Sequence, residues 1–215
     1  MRDKMRYIPI IVIIILLLTT LSGCIEINSD EEKETMPALQ AYEIAEEIAK
    51  EWYDDSVLVL VGLGGYSDGR GGAHRWSFRY YSPSTLIIED NVSYYKRMYI
   101  YVYADNETET QTAYIAKSSF SDPIGNWTID SDEAVEIAKQ IPEIESYLDE
   151  YSRASLGMTL KMWERLPDGR ENPNQDSATW SIGWSDSGGI FGDPAHARVF
   201  INANTGEVLY VDADI

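Results

Sequence analysis

Two hydrophobic periods alternate along the chain. Leu39, Tyr42, Ala45, Ile48, Ala49 and Trp52 recur at three- and four-residue intervals with Glu43, Glu46, Glu47 and Lys50 opposite, which predicts an amphipathic helix that needs a surface to cover. A second helix is predicted from Asp130-Ser131-Asp132-Glu133, where Asp130 is placed to cap and Glu133 stands three residues on, as in a capping box. After each helix the period falls to two. Trp76, Phe78 and Tyr80 alternate with Arg75, Ser77 and Arg79, and Ile100 and Val102 with Tyr99, Tyr101 and Tyr103, the mark of sheets with one core face and one wetter face. Strands are predicted at 57–63, 73–81, 95–104 and 111–116, then at 157–165, 178–185, 197–203 and 207–212, with a further helical turn or two at 142–153 before the second set.

The order of elements repeats. Residues 134–141 match residues 45–52 at five of eight positions, Asp68-Gly69-Arg70 recurs as Asp168-Gly169-Arg170, and Trp76-Ser77-Phe78 recurs as Trp180-Ser181-Ile182. Similar segments in the same order are the signature of an internal repeat. The expected fold is therefore α+β: two repeated units, 38–118 and 129–215, each a helix packed on an antiparallel four-stranded sheet.

Upstream of the first helix the pattern changes. Arg2, Lys4 and Arg6 precede an apolar run from Ile8 to Leu21, shorter than the roughly 20 residues a membrane span needs, so residues 1–23 read as a signal peptide. It runs into Leu21-Ser22-Gly23-Cys24, which resembles a lipobox, with Cys24 as the lipid anchor and the outer face of the cytoplasmic membrane as the location. Residues 24–37 are acidic and aperiodic, a solvated tether. Cys24 is the only cysteine, so no disulfide can form within the mature domain. The whole chain carries 17 Lys plus Arg against 36 Asp plus Glu, a net charge of −19; cleavage after Gly23 leaves 14 against 35, or −21. Such a charge argues against nucleic acid and anionic lipid headgroups as partners. Asn91, Asn106 and Asn126 begin N-x-Ser/Thr sequons, permissive for glycosylation of an exported chain.

The helix at 131–141, the Trp-x-Ile strand at Trp180 and the closing Val199-Phe-Ile-Asn-Ala-Asn-Thr-Gly-Glu-Val-Leu together resemble the PepSY domain and its PepSY-like relatives. The resemblance covers about residues 130–215, and 38–116 more weakly, because Asp105-Asn106-Glu107-Thr108 replaces the Thr-Gly-Glu turn. It implies a cystatin-like helix-on-sheet fold with no catalytic residues, and an exported or membrane protein that binds or restrains a peptidase.

Chemistry is sparse. His74 and His196 stand alone at predicted strand starts, with no spacing suited to a transition metal. Gly183-Trp184-Ser185-Asp186-Ser187 lacks the last glycine of a nucleophile elbow and follows the wrong kind of strand. The glycines of residues 62–72 precede no helix that could hold phosphate. Asp68, Asp168, Asp186 and Asp193 lie in glycine-bearing loops, where calcium binding and ordinary turn chemistry are the alternatives. Tyr99, Tyr101 and Tyr103 form a stripe that is either a partner surface or packing between the two units. Thr205-Gly206-Glu207 reads as the turn between the last two strands. No cofactor is expected. The expectation is a non-catalytic surface lipoprotein that binds a protein or peptide, an exported peptidase in particular; the alternatives are a structural or calcium-binding envelope protein and, less favoured, a carboxylate-dependent hydrolase.

Overall fold

The computed structural model describes residues 34–117, 122–186 and 196–213. The predicted signal segment, Cys24, most of the acidic tether and Asp193 lie outside them. Among the described residues, helix α1 (Ala38–Trp52) precedes strands β1 (Val57–Ser67), β2 (Ala73–Tyr81), β3 (Ile87–Glu89), β4 (Val92–Tyr103) and β5 (Thr108–Ala116). Helices α2 (Ser131–Lys139) and α3 (Pro142–Glu150) then precede β6 (Ser155–Lys161), β7 (Thr179–Ser185), β8 (His196–Asn202) and β9 (Val208–Ala213).

The fold is α+β, as expected, but the strands do not form two separate four-stranded sheets. They join into a single nine-stranded antiparallel sheet of order β3-β4-β2-β1-β6-β7-β8-β9, with β5 also paired to β4. The seam is β1–β6, where Val61 opposes Leu160 and Gly62 opposes Thr159. Each half alone would leave its first strand as an edge with unpaired backbone groups, and edge-to-edge pairing satisfies both. The ninth strand, β3, comes from a hairpin absent from the sequence prediction: Glu89 opposes Val92 around Asp90 and Asn91, both at positive φ. That is the backbone of a two-residue type I′ turn, which Asp and Asn tolerate.

All three helices cover one face. In α1 the fully buried positions are Ala38, Ala41, Ala45 and Ala49, while Leu39, Tyr42, Ile48 and Trp52 flank them partly buried. The alanine ridge lets the helix lie close over Trp76, Phe78, Ile100 and Val102, and the larger side chains pack around that contact. In the other half, Ala134, Val135, Ala138, Ile144 and Tyr147 bury Trp180, Ile182, Val199 and Ile201.

The helix starts are tied together. Asp130 caps α2 by accepting from Ser131 N, and the same oxygen accepts from Leu39 N at 3.0 Å, while Ser131 Oγ accepts from Ala38 N at 2.9 Å. One carboxylate thus faces the positive ends of two helices. The predicted capping box does not form, because Glu133 N bonds to Asp132 instead. The Trp76 indole donates to Met36 O and the Trp180 indole to Ile129 O, each at 2.9 Å and each two residues before its half's first helix. The two indoles meet edge-to-face with centroids 6.2 Å apart.

Candidate functional site

The face of the sheet opposite the helices is open over most of its width. Strand alternation, which buries Trp76, Phe78 and Tyr80, must turn Arg75, Ser77 and Arg79 to this side, and it does. Tyr99, Tyr101 and Tyr103 stand opposite Arg79, Ser77 and Arg75 on the neighbouring strand. The tyrosine stripe therefore lies on β4, two strands from the β1–β6 seam.

The arginines lie across those rings. Arg75 is 5.1 Å from the Tyr101 centroid and 5.8 Å from Tyr103, Arg79 is 5.5 Å from Tyr99, and Arg97 is 4.4 Å from Tyr99. Arg97 also donates to the Tyr99 hydroxyl, and Tyr99 and Tyr101 stack with ring planes 5° apart. Cation–π contact is a sensible home for guanidinium groups that make no ion pair. Among the described residues, ion pairs join Lys50, Lys139, Arg170 and His196 to acids, but none joins Arg75, Arg79, Arg97, Lys161 or Arg198. The Nε atoms of Arg75, Arg79 and Arg97 are buried without hydrogen-bond partners. Burial, then the charge of Arg79, lowers the Arg97 pKa from its ordinary value, and the same two causes in the same order lower that of Lys161. In a protein with more than twice as many acids as bases, five cations have collected on one face outside any ion pair; Arg198 faces Asp212 across β8 and β9, but that carboxylate lies 3.5 Å from His196 Nε2.

Across the seam the same face becomes a groove of about 630 Å³. Its floor is small: Gly157 opposes Gly183 on β6 and β7, and Thr159 opposes Ser181. A side chain built on Gly157 or Gly183 would have only a backbone oxygen near its Cβ, at 3.9 or 3.7 Å, so no side chain comes within 4 Å of either position. Lys161 and Trp163 bound one end of the groove and His196 and Arg198 the other. Arg198 is exposed, opposite Gly183. The Lys161 ammonium sits 3.7 Å from the Trp163 centroid, and Trp163 packs edge-on against Phe200, 4.9 Å between centroids. Phe200 points to the open face yet is fully buried, because Trp163 and Tyr210 cover it. Asn172 holds Trp163 in place by donating to its carbonyl, and the Trp163 Nε1 is itself buried without a partner.

The other residues picked out in the sequence fall elsewhere or into structural roles. Asp68 accepts the backbone N–H groups of Arg70 and Gly72, and Asp168 that of Arg170, with Gly69 and Gly169 at positive φ. These are Asx turns, and among the described residues no group of three or more His, Cys, Asp and Glu side chains is placed to hold a metal ion. His74 packs against the edge of Tyr103. Ser185 opposes His196 in register, and His196 Nε2 lies 3.5 Å from Asp212, but no hydrogen bond joins Ser185 to His196. Asn91, Asn106 and Asn126 are all exposed, the first two at positive φ in turns. Gly206, at φ 72°, closes the last hairpin while Asn202 Oδ1 accepts from Asn204 and Thr205, and Glu207 accepts from the Asn174 amide. The residues that sequence reasoning missed are Lys161, Trp163, Gly157, Gly183 and Arg198. Their signal was present as glycine and cations on the outward phase of β6, β7 and β8, but only the register brings them together.

No known sequence family matches the chain, and no curated protein matches it. Among solved structures, a protein described as a candidate lipoprotein from Clostridium difficile 630 aligns at 14% identity and a TM-score of 0.46, covering 81% of this chain and 93% of that one.

Proposed function

We propose that this protein is a non-catalytic lipoprotein, anchored through Cys24 on the outer face of the cytoplasmic membrane, that binds a peptide or protein on the open face of its sheet, an exported peptidase among the candidate partners. The observation that carries the reading is the groove over Gly157 and Gly183, where no side chain comes within 4 Å of either Cβ position and whose Lys161 and Arg198 are in no ion pair. Concave sites with a few convergent polar groups are the default places for ligands. Glycine in a strand interior weakens the strand, so two facing glycines suit a place where another chain approaches closely.

Two PepSY-like units are part of the proposal. Supporting them, the matched indole bonds of Trp76 and Trp180 stand at equivalent points before their helices. The turns correspond as well: Tyr103 N bonds to Glu107 O and Asn202 N to Glu207 O, both at 2.9 Å, with Asn106 and Gly206 at positive φ just before the glutamate.

The test uses full-length protein in detergent, added to the secreted peptidase fraction of its own cells. Wild type and a Lys50→Gln control on the exposed side of α1 are expected to retain a partner or lower peptidase activity, and Gly183→Val to do neither. Equal behaviour of wild type and Gly183→Val would overturn the groove as the binding site. For the anchor, Cys24→Ser protein is expected to lose lipid labelling and membrane partitioning; unchanged partitioning would overturn it.

A further inference from the structure

The distribution of charge within the groove says what kind of peptide fits. Lys161 lies four residues along β6 from Gly157, and Arg198 lies two strands over from Gly157, in the row Gly157, Gly183, Arg198. With a rise of about 3.3 Å per residue and about 4.8 Å between strands, the two cations' Cα atoms stand roughly 16 Å apart on the diagonal. Between them the floor is neutral: the Thr159 and Ser181 hydroxyls, then Gly183 beside Arg198, with Ser155 and Ser185 one row beyond. Hydroxyls of this kind donate to and accept from peptide amides. A uniformly charged polymer would set most of its charges over that neutral floor and lose their hydration without compensation.

We propose that the groove takes an extended acidic peptide segment with two carboxylates about four residues apart, one met by Lys161 and the other by Arg198, with an uncharged backbone stretch between them over Ser181 and Gly183. The inference rests on the reading of this face as a peptide-binding site and adds the chemistry of the peptide. An extended chain gains about 3.3 Å per residue, so a four-residue spacing spans about 13 Å, and the lengths of the Lys and Arg side chains cover the remainder. Arg75 and Arg79, held over tyrosine rings on the other side of the seam, add positive potential at the groove's margin. That potential is local: it must draw in an acidic ligand against a net charge of −19 on the chain, so binding weakens as salt screens the short-range pairs. Lys161, whose ammonium is disfavoured by burial and then by Arg79, stands opposite Thr179 with no acid across from it, whereas Arg198 already faces Asp212.

The test measures binding of a fluorescein-labelled nonapeptide, Ala-Ser-Glu-Ser-Ala-Ser-Glu-Ser-Ala, to the full-length protein in neutral detergent. Its comparison peptides carry Gln at both Glu positions, or both Glu residues side by side; inorganic tripolyphosphate is the competitor that represents simple polyanions. The spaced-Glu peptide is expected to bind at least about tenfold more tightly than either comparison peptide. Lys161→Gln and Arg198→Gln are each expected to weaken it by about tenfold, and Gly183→Val to abolish it. Equal binding of the Glu and Gln peptides, lost in Gly183→Val, would overturn the ionic assignment while leaving the groove as a peptide site. Full displacement by tripolyphosphate at concentrations below those of the spaced-Glu peptide would assign the cations to a phosphate-rich ligand and overturn the peptide. Undiminished binding in Gly183→Val would overturn both the inference and the reading it rests on.

Discussion

The N-terminal and C-terminal halves of the sheet are alike on their helix side and unlike on their open side. Under the helices, each half buries one tryptophan whose indole bonds to the residue two places before its first helix, and each closes its β-hairpin with a positive-φ residue before a glutamate. On the open face, the N-terminal half sets Arg75, Arg79 and Arg97 over the rings of Tyr99, Tyr101 and Tyr103 and so fills its own surface. The C-terminal half keeps a glycine floor and leaves Lys161 and Arg198 at its margins. What the halves share is what folds them; what distinguishes them is an unfilled groove with unpaired charge, and function is sought there.

The largest effects should come from the shared side. Trp76→Ala and Trp180→Ala each remove a fully buried indole and are expected to cost about 3–5 kcal/mol in chemical denaturation. Similar costs would sharpen the likeness of the halves, and a cost confined to one would break it. Asp130→Ala should follow at about 2 kcal/mol, because it uncaps α2 and strips the start of α1 of its acceptor together. Burial, the dominant cause, raises the Asp130 pKa above the usual carboxylate value against the opposing bonds from Ser131 and Leu39, and nearby Asp132 raises it further. A raised folded pKa means that this contribution is complete below the unfolded value, near 3.9, and is lost as pH rises through the folded one. Asp130→Asn keeps the cap, and its stability curve is expected to lack that decline.

The turns offer a finer comparison. Gly206→Ala places a Cβ at φ 72° and 3.1 Å from Ile137 Cδ1, with an expected cost of about 1–2 kcal/mol. Asn106→Gly at the matching turn should change stability by no more than about 0.5 kcal/mol, since both residues accept that conformation. On the open face, Arg79→Gln gives up one half-buried cation–π contact, about 0.5–1 kcal/mol in the melting free energy.

Much of the fold was legible because period and punctuation agree. The alternation at Trp76-Phe78-Tyr80 named the core face correctly, and the Thr205-Gly206-Glu207 turn folds as its glycine demanded. Residues 90–91 escaped notice because an Asp-Asn turn lacks the glycine that usually marks a tight hairpin. The joining of the sheets was invisible for a different reason: Val61–Leu160 and Gly62–Thr159 are backbone pairs, and backbone pairing leaves no trace in residue identity. The groove inherits that blindness. Gly157, Gly183, Lys161 and Arg198 are ordinary strand residues until register sets them on one face, whereas the tyrosine stripe, visible in the sequence as a single strand's alternation, could be found beforehand.

The most direct measurement is the binding isotherm of the spaced-Glu nonapeptide for Gly183→Val, taken below its own melting temperature. A Cβ at 183 meets only the Ala197 backbone oxygen, at an ordinary 3.7 Å, and valine favours a strand, so the fold should stand while the groove is filled. The expected result is an unchanged melting temperature with no detectable binding; a Gly183→Val protein that melts normally and binds like wild type would contradict a ligand site on the open face.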